Sequence, residues 1–223
     1  MAGRDIPSIV LGSQTDYRKL FYSEPEAALK VPVTIQAGYG VLAMGTVLAK
    51  NNSAAGNKSK LIPYDPHATI TGAEKAPNRA YLVQSSGTSA TVLYVNMDDS
   101  YKFSVGDDVY IADNTTAAEN LGAITAIDRT TYTHMAGITV TTASGGTSFT
   151  TARFAYIACE GYDTAVGVLE KSVDTGTGED AKGALASLIL GNCVLYTGML
   201  LNMDANARTD LSASTFGNFT YIK

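Results

Sequence analysis

Two stretches far apart in this chain carry the same short-strand character, and a different pattern lies between them. The first, Gly38 to Asp65, reads GYGVLAMGTVLAKNNSAAGNKSKLIPYD. The second, Gly161 to Leu200, reads GYDTAVGVLEKSVDTGTGEDAKGALASLILGNCVLYTGML. Each places brief apolar runs between Gly-bearing polar loops, the pattern of short strands joined by turns. Together they look like the halves of one small β domain with a second domain set between them.

The surrounding chain extends this pattern. Val31, Val33 and Ile35 alternate with Pro32, Thr34 and Gln36, a period-two strand whose Pro32 implies a late start or an edge. Val41 to Ala49 predicts a second strand with a bend at Gly45, and Lys60 to Tyr64 a short strand limited by Pro63. Asn51 to Lys60 reads as a flexible hairpin loop. Between 79 and 159 six short strands are expected, at Tyr81–Val83, Thr91–Val95, Asp108–Ala112, Ala123–Ile127, Ile138–Thr142 and Phe154–Ala158. Their spacing of roughly 10 to 17 residues is loose for a small barrel or sandwich. Phe103 to Ile111, with its Gly106-Asp107 turn, resembles the first turn and strand of SH3-like barrels. Ala184 to Leu190 is ambiguous in period and is assigned as a strand by its bracketing glycines. A short helix is expected within Met199–Asp210, with Asn202, Asp204 and Asn206 as cap or turn residues, and a last strand within Phe216–Ile222.

The fold class is therefore mainly β. A small core (31–78 and 160–223) is split by a small β-barrel or sandwich (79–159) and preceded by an extended N-terminal arm (1–30). In the arm Tyr17, Leu20, Phe21 and Tyr22 form an apolar cluster in a polar segment. They either fold back on the chain's own core or dock on another protein.

Composition narrows the function classes. Hydrophobic residues are 45% and charged residues 17%, enough for a packed core. A net charge of −5 without a basic stripe argues against nucleic acid as a partner. No apolar run reaches the ~20 residues that span a bilayer, and no secretory signal is expected at the N-terminus. Cys159 and Cys193, the only cysteines, read as two buried thiols.

Few residues suggest chemistry. Asp174-Thr175-Gly176 matches the triplet at the floor of an aspartic protease cleft, where paired carboxylates share a proton. Leu188-Ile189-Leu190-Gly191-Asn192 imitates the later apolar-Gly-Asn run of such enzymes. About a dozen residues separate the two, too few for a flap and its strands, so an Asp174 protease is a remote alternative. Gly178 to Gly183 lacks the order of a phosphate loop. His67 and His134 are isolated, and Asp98-Asp99 and Asp107-Asp108 lack calcium-loop spacing and read as turn residues. Neither a metal nor a cofactor is expected, and the chain reads as a non-enzyme.

Three phrases carry a family resemblance. They are Val31 to Gly38 leading into Leu42 to Ala49, then Lys60-Leu61-Ile62-Pro63-Tyr64-Asp65, and then Thr164 to Leu169 followed by Val173-Asp174-Thr175 and Leu195-Tyr196-Thr197-Gly198. In content and order they resemble the lambda-type head decoration proteins of tailed bacteriophages, over about residues 27–72 and 161–206. The extra stretch at 79–159 departs from that family. The resemblance implies a β-tulip-like core that sits as homotrimers at local three-fold axes on the outer surface of the capsid. It implies the major capsid protein as partner, with the arm (Tyr17, Leu20, Phe21, Tyr22) engaging it. Such a protein is made in the host bacterial cytoplasm and stabilises the expanded shell against packed DNA. An alternative is a virion binding module whose residues 79–159 recognise a host glycan or protein.

Overall fold

The computed structural model describes residues 20–22, 25–65, 78–214 and 217–223. In chain order the strands are β1 (Leu29–Ile35), β2 (Val41–Leu42), β3 (Val47–Lys50), β4 (Leu61–Pro63), β5 (Ala80–Tyr81), β6 (Val92–Asn96), β7 (Asp108–Ala112), β8 (Glu119–Asp128), β9 (Met135–Val140), β10 (Tyr156–Cys159), β11 (Ala165–Leu169), β12 (Val173–Asp174), β13 (Ala184–Gly191), β14 (Cys193–Tyr196) and β15 (Phe219–Ile222). A one-turn helix α1 (Met97–Ser100) follows β6, and α2 (Ala205–Ala213) lies between β14 and β15. The chain is mainly β.

β1, β13, β11, β3 and β4 close a five-stranded barrel in that order. Its strands come from both sides of the 80–159 segment in sequence. β1 pairs antiparallel with β13 along its whole length, from Leu29↔Gly191 to Ile35↔Ala184. It meets β4 only at Ile35↔Leu61, in parallel. Pro32, which has no N–H to donate, thus sits where the strand has a single neighbour. Val31 and Val33 pack on the core while Pro32 and Thr34 are exposed, as the period-two pattern requires.

The strands from 80 to 159 form a second, antiparallel sheet in the order β5-β10-β7-β8-β9-β6. Its edges approach one another through the Leu82↔Val95 bridge and a 2.9 Å bond from Val83 N–H to the Tyr94 carbonyl, so this sheet is nearly closed as well. All six strands expected between 79 and 159 are present. Closing the edges leaves few unpaired strand groups on either body. Their buried apolar side chains form one continuous cluster, running from Ile35, Val47 and Leu48 to Val109, Ile111 and Ile157.

Val41 to Ala49 is two strands rather than one. Gly45 lies in the turn between them at φ +83°, donates to the Leu169 carbonyl at 2.9 Å and accepts from Leu201 N–H at 3.0 Å. A Cβ at this position would stand 2.0 Å from the Met199 carbonyl oxygen. Gly45→Ala combines that clash with an unfavourable φ, and a loss of at least about 2 kcal/mol is expected. Chemical denaturation checks it, and an unchanged midpoint would refute the role given to the turn.

The helix expected near the C-terminal end is α2. Asp204 caps it by accepting from Ala207 N–H at 2.7 Å, and the same carboxylate oxygen accepts from the Tyr64 hydroxyl at 3.1 Å. Asp210 accepts from Ala165 N–H at 2.9 Å, which ties the helix to β11. No helix among the described residues is long and apolar enough to cross a membrane.

Candidate functional site: the N-terminal anchor and the junction between the barrels

The three described arm residues separate into distinct environments. Leu20 and Phe21 are buried in the chain's own core, at 0% and 4% exposure. Phe21 bridges Leu195 in antiparallel sense, and Tyr22 N–H donates to the Val194 carbonyl at 2.9 Å. This short segment therefore adds to β14, which pairs in parallel with β15 on its own account. Lys30 places its ammonium 5.3 Å from the Phe21 ring centroid and pairs with Glu170 at 2.8 Å. Tyr22 is 56% exposed and meets Tyr196 edge to face. Tyr17 lies outside the described residues.

Leu20 and Phe21 therefore correct the arm expected over 1–30. Their side chains are an anchor in the core, because burying a leucine and a phenylalanine stabilises by several kcal/mol and β14 offers a strand edge to hold them. Of this cluster, the ring of Tyr22 stays exposed. β1 also begins at Leu29, so the last residues of the expected arm belong to the barrel.

The densest polar geometry lies where the two barrels meet. Asp107, fully buried, immediately precedes the strand β7. Its carboxylate accepts from Asn57 N–H at 2.6 Å, Asn57 Nδ2 at 2.8 Å and Ser104 N–H at 2.8 Å. Asn51 Nδ2 donates to Gln36 Oε1 at 3.0 Å and lies 3.4 Å from Asp107. Gln36 Nε2 donates to the Lys102 carbonyl and, at 3.6 Å, to Cys159 Sγ. Next to this network, Asp108 accepts from Ala54 N–H at 2.8 Å, and its own N–H donates to Ser53 Oγ at 2.7 Å. Gly106 stands against Gly56, where a Cβ would come within 2.9 Å of Gly56 N, so only glycine permits the approach.

The loop 51–60, expected to be flexible, is thus a clamp. Asn51 and Ser53 are wholly buried and Asn57 nearly so. Its Asn and Ser side chains, a loop signature by composition, are spent on a buried carboxylate and on their own turn. Asp107 and Asp108, expected as turn residues, hold the partner side of the clamp. The Gly106-Asp107 pair was the one sequence signal here; nothing in the sequence linked it to Gln36, Asn51 or Asn57.

A second weld lies beside the first. Arg79 and Asp65 form a bidentate pair, Nε to Oδ2 at 2.5 Å and a second guanidinium nitrogen to Oδ1 at 3.0 Å, with both residues buried. The guanidinium also lies 4.1 Å from the Tyr156 ring centroid. Burial alone would lower the Arg79 pKa; the hydrogen bonds and charge of Asp65 outweigh it and hold the pKa above its usual value.

Both cysteines are buried, as expected. Burial pushes the Cys159 thiol well above its ordinary pKa, with the Asp107 charge adding to it. Burial pushes Cys193 up to about 11, partly offset by Lys30. Neither thiol should react with a disulfide reagent near pH ~8 in the native protein, and both should appear on unfolding. A thiol that titrates rapidly in native protein would contradict this burial.

The remaining sequence candidates are dispersed. Asp174 is exposed on β12 and accepts from Gly176 N–H at 2.9 Å, an Asx-type turn. Thr175 is buried and ties this loop to 38–40, donating to the Gly40 carbonyl at 2.9 Å and accepting from Tyr39 N–H at 3.0 Å. The Asp-Thr-Gly triplet thus serves here as a loop clasp. His134 is exposed, and His67 lies outside the described residues. Among the described residues no group of three or more His, Cys, Asp or Glu is placed to hold a metal ion. Compared with known proteins, the chain matches no family model, no curated protein and no solved structure.

Proposed function

We propose that the protein is a structural component of a bacteriophage virion that binds the outer surface of the expanded capsid. One observation carries the reading. The phrases that resemble lambda-type decoration proteins are scattered through the sequence, yet they supply β1, β3, β4 and β11, four of the five strands of one closed barrel. The third phrase also supplies β12 and the end of β14, which flank that barrel. On this reading the protein sits as homotrimers at local three-fold axes and contacts the major capsid protein through the chain that precedes the Leu20–Phe21 anchor. An extended segment that adds to a sheet edge gains backbone hydrogen bonds, and three arms on one trimer gain by effective concentration. The 80–159 sheet, rigidly welded to the barrel, is then carried on the shell.

Co-sedimentation with expanded, undecorated capsids tests this. Saturable binding at a fixed ratio to the major capsid protein is expected, with a higher disruption temperature for the shell. Deleting residues 1–19 should abolish binding while leaving the thermal midpoint unchanged, because the anchor is kept. Absence of binding by the full chain would overturn the reading; full binding by the truncated chain would overturn the role of the arm.

A further inference from the structure

We infer that the 80–159 sheet carries a binding recess for one neutral sugar ring, a function beyond shell attachment and independent of it. The recess has a volume of about 160 Å³ and lies where the loop after β5 runs into β6. It is lined by Gln84, Ser85, Ser86, Ala90, Leu93 and Tyr94 among others, and none of its lining residues is charged. That lining does not suit a phosphate, a carboxylate or a cation, each of which calls for a countercharge on transfer out of water. Amide and hydroxyl groups next to aliphatic carbon and an aromatic ring match a pyranose, which shows hydroxyls at its rim and C–H groups on its faces. The volume is below the roughly 300–1,000 Å³ of drug-sized sites, so one ring fits and a longer glycan would continue outside.

The walls are held before any ligand arrives. Ser86 N–H donates to the Phe149 carbonyl at 2.9 Å, and the Ser86 carbonyl accepts from Ser148 Oγ at 3.1 Å. Gly87 accepts from Ser144 Oγ at 3.0 Å. The backbone on this side is thus satisfied. Next to the recess, Tyr132 meets Tyr94 edge to face at 5.7 Å and is itself exposed.

The test is a nuclear magnetic resonance titration of the full chain with methyl glycosides of mannose, galactose, glucose and N-acetylglucosamine. At least one should give saturable shifts centred on residues 84–94, with a Kd in the millimolar range expected for a single ring. Ala90→Leu, which fills the recess, should weaken binding at least about tenfold. Gln84→Ala, at an exposed position that leaves the fold intact, should weaken it by about threefold or more through the lost amide. No saturable shift with any of the four sugars, shifts centred elsewhere, or equal affinity in the Gln84→Ala protein would overturn the inference. Because this readout involves no capsid, its failure and the failure of the shell assignment are separate results.

Discussion

Asp107→Ala is expected to destabilise the protein by about 3–5 kcal/mol and to lower its thermal midpoint by about 10 °C. The carboxylate is fully buried and accepts three close hydrogen bonds, two of them from backbone N–H groups. Alanine removes all three acceptors at once. Asn57 is then left with two buried donors and Ser104 with a half-buried one facing a void, and each buried donor costs its desolvation in full. Asp107→Asn is a sharper probe, because it keeps the shape and one oxygen but turns a donor toward Ser104 or Asn57. It should fall between wild type and alanine. The measurement is differential scanning calorimetry with amide hydrogen exchange alongside. Protection should be lost first in the loop 51–60 and the start of β7, the two sides of the clamp. A midpoint within 2 °C of wild type (about 0.5–1 kcal/mol for a chain of this size) would show that the buried network contributes little.

Arg79→Ala should cost a similar amount, about 3–5 kcal/mol, because a buried carboxylate loses its bidentate partner. The cation over the Tyr156 ring is lost in the same step. Arg79→Lys separates the contributions of charge and geometry. Lysine restores a positive charge but cannot present two parallel N–H donors, so most of the loss should persist. Denaturant midpoints of the three proteins decide it, and a lysine variant as stable as wild type would mean that charge alone matters at this site. Asp107 and Arg79 belong to neighbouring but separate welds, so their double mutant also reports whether the junction acts as a unit.

Both welds bear on what the 80–159 sheet can do. An outer body on a flexible tether would sample many orientations. Here Gln36 from the end of β1, the clamp loop after β3 and Asp65 after β4 all grip residues of the second sheet or its approaches. A shell that carries this protein would hold the second sheet in a fixed direction, which suits display of a recess on that sheet.

Period and punctuation alone place most strands. Val31, Val33 and Ile35 on β1, and the six runs between Tyr81 and Ala158, were legible because side chains that alternate between core and solvent leave a mark in sequence. So was the capped helix after Asp204, because an N-cap is a local hydrogen bond between near neighbours in the chain. The bend at Gly45 was legible, but not that it splits Val41–Ala49 into two strands with the Met199 carbonyl packed against Gly45 from far along the chain. The fate of the arm was half legible. The aromatic cluster at 17–22 was visible, but only the edge of β14 decides that Leu20 and Phe21 turn inward while Tyr22 turns out.

The junction belongs wholly to tertiary structure. Asn51, Ser53 and Asn57 read as a solvated loop because polarity is a property of the residue, whereas burial is a property of its neighbours. Asp107 lies fifty residues beyond Asn57, and no local pattern records a hydrogen bond across that distance. What the sequence determined is where this chain makes strands, turns and a helix, because those are set by local sterics and by the period of apolar side chains. What only the tertiary structure decided is which strands close which barrel and which polar groups weld them, because buried donors and acceptors must be matched in space.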